Sequence, residues 1–144
     1  MTRPSFDRYM LDVARVAASR STCPRLRVGA VLAVDGRIIA TGYNGSLRGQ
    51  PHCDDVGCDL VDGRCCRSQH AEANAILQAA KLGVSTDRAV CYCTHMPCLA
   101  CAKLLAGAGV HEVIYDEPYR PDARVLSLGM AVAQYGVTDY EEEE

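Results

Sequence analysis

The stretch RCCRSQHAEANAI, residues 64–76, closes a polar, cysteine-rich segment and opens a run of strong helix formers. Two thiols, an imidazole and a carboxylate stand where that helix is about to begin, and a core helix needs none of them. A second stretch, THMPCLAC at 94–101, follows the apolar run AVCYCT (89–94) and repeats the arrangement. Ligand-type side chains again gather where a strand or loop gives way to a helix. Strands alternating with helices imply a sheet covered by helices on both faces.

The rest of the chain extends this pattern. Residues 5–19 carry Phe6, Met10, Val13, Val16 and Ala17 at helical spacing, with Ser5 placed to cap them. VGAVLAV (28–34) and RIIATGY (37–43) are apolar, β-branched runs on either side of Asp35-Gly36, the signature of a hairpin with a tight turn. Residues 44–69 are rich in Gly, Asp and Cys without a period, which predicts a loop. HAEANAILQAAKLG (70–83) predicts a helix ended by Gly83. AVCYCT and HEVIYD (111–116) predict strands, with a short helix over 97–106 between them and Pro97 in its first turn, where no amide donor is needed. EPYRP (117–121) predicts a loop, 123–135 a helix stopped by Gly136, and VTDY (137–140) a short final strand. The expected order is α-β-β-α-β-α-β-α-β. It describes one α/β domain over 1–140 with about five strands, followed by an acidic tail at 141–144.

Bulk properties narrow the function classes. The chain has 144 residues, 49% hydrophobic and 23% charged, a globular balance rather than a disordered one. A net charge of −3 offers no basic footprint for nucleic acid. No apolar run approaches the roughly 20 residues of a membrane span, and the first residues lack the apolar core of a secretory signal. The expectation is a cytoplasmic protein without nucleic-acid or membrane partners. Nine cysteines are the outlying feature. An odd count without a signal points away from a disulfide framework and toward metal. Cys91 and Cys93 lie inside a strand-like run and are expected in the core.

Zinc sites that perform chemistry use three protein ligands and leave a position for water. His70, Cys98 and Cys101 supply such a set. Cys98 and Cys101 are three apart at a helix start, so their thiols face the same way, and the helix dipole favours their thiolate forms. Glu72, two residues after His70, is placed near the metal without being a ligand. A closed structural zinc site would have no use for it. The pattern His-x-Glu…Pro-Cys-x-x-Cys is that of zinc-dependent nucleobase deaminases.

At these residues the chain resembles the cytidine deaminase-like superfamily, and within it the deoxycytidylate (dCMP) deaminases. The similarity extends through STCPRLRVGAVL (21–32), GYNGS (42–46), PHCDDVGC (51–58), HAEANAI (70–76), THMPCLAC (94–101) and YDEPYRP (115–121). It implies a three-layer α/β/α sandwich with a mixed central sheet, a catalytic zinc, and hydrolysis of dCMP to dUMP and ammonia, which supplies dUMP for dTMP synthesis. Glu72 would move protons from the attacking water to N3 of the ring and to the leaving amine. By the family pattern Asn44 would bind the sugar hydroxyl. Tyr119 would lie over the base or meet the phosphate. Arg25, Arg27 and Arg120 are the candidate phosphate ligands, since a phosphate calls for Arg or Lys.

Cys23, Cys53, Cys58 and Cys65 make a second candidate set. Four thiolates form a closed zinc site, which would hold the long loop in place, and some relatives carry a second zinc in this region. His52 or Cys66 is an alternative fourth ligand. His95 is expected in the pocket wall. The resemblance also implies a homo-oligomer, often a hexamer, with dCTP as activator and dTTP as inhibitor, the GYNGS turn being the suspected effector contact. Alternative activities are deamination of dCTP and, against the net charge and acidic tail, of adenosine in tRNA.

Overall fold

The computed structural model describes residues 2–137. In chain order it contains α1 (Phe6–Ala18), β1 (Gly29–Val34), β2 (Arg37–Tyr43), the short α2 (Cys53–Val56), β3 (Leu60–Val61), β4 (Arg64–Cys65) and α3 (Ala71–Leu82). Then follow β5 (Val90–His95), α4 (Leu99–Gly107), β6 (Glu112–Glu117), a 3₁₀ turn (Ala123–Ser127) and β7 (Ala131–Gln134).

Strand β1 shows how sequence becomes layers. Val31 and Ala33 point to one side, Ala30 and Leu32 to the other, and all four are buried. Being covered on both faces is why GAVLAV reads as an unbroken apolar run. The turn into β2 places Asp35 and Gly36 at φ 49° and 76°, the positive pair that a tight hairpin needs. Strand order is β2-β1-β5-β6-β7. β1 is antiparallel to both β2 and β5, while β5, β6 and β7 run parallel. On one face α1 packs Met10, Leu11 and Ala14 against Val31, Tyr92 and Ile114. On the other, α3 and α4 bring Ala71, Ala75, Ala79, Ala102 and Leu105 against Leu32, Cys91, Cys93 and Val113. This is the expected three-layer sandwich on a mixed five-stranded sheet.

Four details differ from expectation. Residues 123–135 are not one helix: the 3₁₀ turn ends at Ser127, Gly129 takes φ 88°, and Ala131–Gln134 becomes β7. Strand β6 would otherwise offer an open edge of backbone donors and acceptors, and pairing with it overrides the local preference of an alanine-rich run. The fifth strand is therefore β7. The final strand expected at 137–140 lies, beyond Val137, outside the described residues, as does the acidic tail at 141–144. Within 44–69 the chain forms α2 and the small β3–β4 ladder. Helix α4 starts at Leu99 with Cys98 as its cap, so Pro97 precedes the helix. In α1 the buried stripe is Met10, Leu11, Ala14 and Ala18, while Phe6 and Val16 are exposed. Among the described residues no helix is long and apolar enough to cross a membrane.

A charged latch fixes α1 to the sheet. Arg8 donates from Nη1 and Nη2 to the two oxygens of Asp116 at 2.8 Å each, and Arg15 donates to Asp116 Oδ2 at 2.8 Å. The Arg8 guanidinium lies 5.1 Å from the centre of the Tyr135 ring, so the chain just past β7 joins the same latch. The Arg8 guanidinium is the main cause holding the Asp116 carboxyl below its ordinary range. A depressed carboxylate stabilises the fold above its unfolded pKa, near ~3.9, and that contribution disappears as pH falls through the lower folded value. Asp116→Asn is therefore expected to lower stability at neutral pH by about 1.5–3 kcal/mol. The variant should also lose less further stability than the parent on acidification below that range. Denaturant midpoints of both proteins at pH 7 and pH 3 check this, and equal differences at the two pH values would refute it.

Candidate active site

The site is built where strands β5 and β6 end and α3 and α4 begin. Its placement depends on a backbone-to-backbone approach. A Cβ built on Gly42 of β2 would lie 2.2 Å from the Ala71 carbonyl oxygen and 2.6 Å from the Ala75 nitrogen. Only glycine lets the first turn of α3 rest directly on the sheet. Asn74 Nδ2 adds bonds to the carbonyls of Tyr43 (2.8 Å) and Gln69 (3.3 Å). His70, which caps α3, and Glu72, in its first turn, are thereby held at fixed positions over the sheet.

Helix α4 brings the thiols. Cys98 is its cap and its sulfur accepts from the Cys101 amide at 3.5 Å. His70 Nδ1 lies 3.3 Å from Cys101 Sγ and 3.6 Å from Cys98 Sγ. Ligands at the usual Zn–N and Zn–S lengths in a tetrahedron stand roughly 3.5–3.7 Å apart, so one ring nitrogen and two sulfurs are spaced to share a zinc ion. Bonds from the Cys101 thiol and from His70 pull the Cys98 thiol down to about 3. Cys101, its proton shared with Cys98 and its side chain buried, is pushed up. Of the two sulfurs, Cys98 is thus the one favoured to lose its proton first.

Glu72 is 4% exposed and has no cationic side chain in its first turn. Burial is the main cause raising its carboxyl above the ordinary range, against the pull of its own backbone amide and of the His70 imidazole. A carboxyl poised this way can hold a proton at one moment and release it at the next.

The triad opens into a cleft of about 510 Å³. Leu26, Val28 and Met96 supply apolar wall, and Asn44, His95 and Tyr119 supply polar groups. Asn44 is buried and braced: Oδ1 accepts from the Val28 amide at 2.8 Å and Nδ2 donates to the Leu26 carbonyl at 2.7 Å. Of the three arginines singled out above, Arg25 and Arg120 line the cleft. Arg27 does not; its Nη1 is engaged by the carbonyls of Ser21 (3.1 Å) and Ser19 (3.4 Å). Arg64, Lys103 and Arg124 line it and were not singled out. Arg124 is paired with Asp122 at 2.7 Å. Arg64 stands in the opening quotation itself, and Lys103 two residues after a ligand, but nothing local says that their side chains turn inward.

A second sulfur cluster flanks the cleft. The sulfurs of Cys53, Cys58 and Cys65 lie within 4.8 Å of one another, with Cys53 and Cys65 at 3.6 Å. Cys23 is not in that trio; it is buried in the cleft wall, near enough for its charge to bear on Cys58. The segments are tied by backbone bonds: Asp54 N to Thr22 O, Thr22 N to Asn44 O, and a reciprocal pair between Gly45 and Gln69. Burial raises the Cys65 thiol, yet hydrogen bonds with the backbone of Ser68, Arg67 and Asp59 outweigh it and bring it down to about 7. Cys53 is pushed up to about 12, first by burial and then by Cys65. His52 Nδ1 is buried with no hydrogen-bond partner.

The sequence profile described as "Cytidine and deoxycytidylate deaminase zinc-binding region" matches residues 4–117. The chain belongs to the cytidine and deoxycytidylate deaminase family. His70, Glu72, Cys98 and Cys101 fall inside the match, whereas Tyr119 and Arg120 lie just beyond its end. The chain is 50% identical over 138 residues to ComE operon protein 2 of Bacillus subtilis, covering 96% of this chain and 71% of that protein. It is 39% identical over 145 residues to the deoxycytidylate deaminase of Schizosaccharomyces pombe, covering 92% of this chain but only 45% of the yeast enzyme. A crystal structure of the dCMP deaminase from cyanophage S-TIM5, in complex with dCMP and dUMP, superposes with a TM-score of 0.81 at 35% identity, covering 93% of this chain and 99% of that one.

Replacing Gly42 by Ala forces the start of α3 away from β2, because the added carbon meets backbone that cannot rotate aside. The expected cost is about 1–3 kcal/mol of stability. Displacing His70 from the two sulfurs should also weaken metal retention. Thermal unfolding together with metal content after dialysis checks both, and a Gly42→Ala protein equal to the parent in both would show that the contact does not set the site.

Proposed function

We propose that this protein is a zinc-dependent dCMP deaminase that hydrolyses dCMP to dUMP and ammonia and so supplies dUMP for dTMP synthesis. The observation that carries the reading is the buried Glu72 beside a His-Cys-Cys ligand set, opening into a cleft rimmed by Arg25, Arg64, Lys103 and Arg120. The likeness to the cyanophage enzyme in complex with dCMP and dUMP supports the same substrate class.

The donor set suits zinc by type and spacing, and two thiolates with a neutral imidazole leave such a centre formally uncharged. Zinc bound there supplies a Lewis acid that makes a water acidic near neutral pH. Glu72 accepts the proton of the attacking water. It delivers that proton to ring N3, then takes the second proton from the oxygen now bonded to C4 and delivers it to the departing amine, so water and dCMP become dUMP and ammonia. Burial serves both halves of this task by keeping the protonated carboxyl accessible. Asn44, rigid because both ends of its amide are engaged, meets the sugar hydroxyl. Tyr119 lies against the base, and the cationic rim takes the 5′-phosphate. Of the three phosphate candidates, Arg25 and Arg120 line the cleft and are retained, whereas Arg27 lies outside the lining with its Nη1 on backbone carbonyls.

A second zinc held by Cys53, Cys58 and Cys65, with Cys23 as fourth ligand, would order the loop that carries Arg64. The unpartnered Nδ1 of His52 favours it as the competing fourth ligand. A homo-oligomer, hexameric and responsive to dCTP and dTTP, belongs to the same reading on family resemblance.

Two experiments test this reading. Loss of cytosine absorbance is followed with dCMP, dCTP, cytidine and a tRNA anticodon hairpin. dCMP should exceed cytidine by roughly tenfold to a hundredfold per arginine–phosphate contact, with Glu72→Gln folded but nearly inactive. Equal kcat/KM for dCMP and cytidine would sink the nucleotide assignment, and a dominant dCTP rate would move it to the triphosphate. Zinc analysis of freshly prepared protein should give two ions per chain, and Cys98→Ser should lose one. Cys23→Ser should weaken the other more than His52→Ala does. One ion per chain in the parent would remove the second site.

A further inference from the structure

His95 ends β5 and lines the cleft, yet neither the zinc set nor the proton path uses it. Its surroundings fix both its tautomer and its plane. The Gly29 amide donates to Thr94 Oγ1 at 3.1 Å, and that hydroxyl lies 2.8 Å from His95 Nδ1. A threonine hydroxyl has one proton. With an acceptor position taken by Gly29, that proton is satisfied by going to Nδ1. Nδ1 is then an acceptor and Nε2 carries the N–H. The opposite tautomer would leave the hydroxyl proton without a partner and turn a bare Nε2 lone pair toward the Glu117 carboxylate, 3.5 Å away. The Nε2–H form gives the hydroxyl proton its partner and turns an N–H toward the Glu117 carboxylate.

The ring so fixed meets Tyr119 edge to face, with centres 6.0 Å apart and planes at 80°. Arg120 lies over the other aromatic surface available to it, 5.3 Å from the Tyr119 centroid, and takes φ 44° to do so. Tyr119 is 40% exposed and follows the end of β6, so little else on its own segment holds it. A line of contacts thus runs from the rigid start of β1 through Thr94 and His95 to the loop residues Tyr119 and Arg120.

We propose that His95, as the neutral Nε2–H tautomer, is a positioning residue that sets Tyr119 and Arg120 against the nucleotide. This rests on the reading of Tyr119 and Arg120 as substrate contacts. His95 itself touches neither substrate nor zinc in this scheme. Its removal loosens the Tyr119–Arg120 arm and weakens nucleotide binding, while the proton transfers by Glu72 continue.

The test has an arm independent of activity. Long-range ¹H–¹⁵N correlation spectra of the imidazoles, with His95→Gln to assign the signal, should show the proton on Nε2. A proton on Nδ1 would overturn the proposal whatever the substrate is. In kinetics, His95→Ala should raise KM for dCMP by roughly two- to tenfold, the range of an edge-to-face aromatic contact, with kcat within about twofold. His95→Phe, which keeps a ring edge against Tyr119, should recover most of the loss. In a Tyr119→Ala background His95→Ala should have almost no further effect. A fall in kcat at unchanged KM, or equal factors with and without Tyr119, would overturn the proposal. Thr94→Val provides a milder variant should His95→Ala fail to fold: it should raise KM in the same direction, and an unchanged KM with a free Nδ1 would count against the chain of contacts. If the parent protein does not turn over dCMP, the substrate reading fails on its own, and the tautomer measurement still judges this one.

Discussion

The first turn of α3 can carry chemistry because β2 has no side chain at Gly42. The helix backbone comes so close to the strand that a single methyl would collide with the Ala71 carbonyl. Gly29 plays the same part on the other face, where a Cβ would meet the Ala14 carbonyl at 1.8 Å. Helices α1 and α3 therefore each touch the sheet backbone to backbone at one point, beside their packed side chains, and small residues such as Ala14, Ala71, Ala75 and Ala79 line the seams. A seam of this kind leaves little room to slide. On α3 that rigidity holds His70 and Glu72 in place, and a misplacement near 1 Å at reacting groups costs large factors in rate.

The electrostatics follow from that seating. Glu72 is buried with no permanent cation to neutralise it, a position that would be costly for a residue with only a structural duty. His70 and the thiols make the cost tolerable by presenting a centre that takes up positive metal charge. Positive charge elsewhere is kept at the rim, on side chains that remain hydrated. The cleft thus joins a buried carboxyl and a His-Cys-Cys set to a cationic rim.

Much of this was legible in the sequence, and the division has a physical basis. His70, Glu72, Cys98 and Cys101 could be read because their relation is local: two residues apart on one helix start, three apart on the other. The hairpin turn at Asp35-Gly36 was legible for the same reason. The strand at Ala131–Gln134 was not, because it exists to satisfy the edge of β6, and that edge is a property of the assembled sheet. That Arg64 and Lys103 line the cleft and Arg27 does not was not legible, because a long side chain's direction is decided by what surrounds it. Arg27 found two backbone carbonyls nearby, whereas Arg64 and Lys103 found the cleft. The clustering of Cys53, Cys58 and Cys65 was anticipated as part of a four-cysteine set from the loop's composition and the family resemblance, while the absence of Cys23 from the tightest trio depends on how the 21–28 segment packs.

The ligand-type side chains and most of the cations at the cleft rim are carried by different stretches of the chain. The former sit on helix starts braced by backbone contact. Of the rim cations, Arg25 precedes β1, Arg64 lies in the small β3–β4 ladder and Arg120 follows β6, while Lys103 is on α4 itself. Loops tolerate substitution and insertion far better than seams without a Cβ's worth of space. A lineage carrying this fold can therefore drift from one phosphorylation state or leaving-group context to another by rewriting its rim, inheriting the deamination chemistry intact. Shared ancestry should be read from the glycine seams and the ligand triad, and divergence in substrate from the loops.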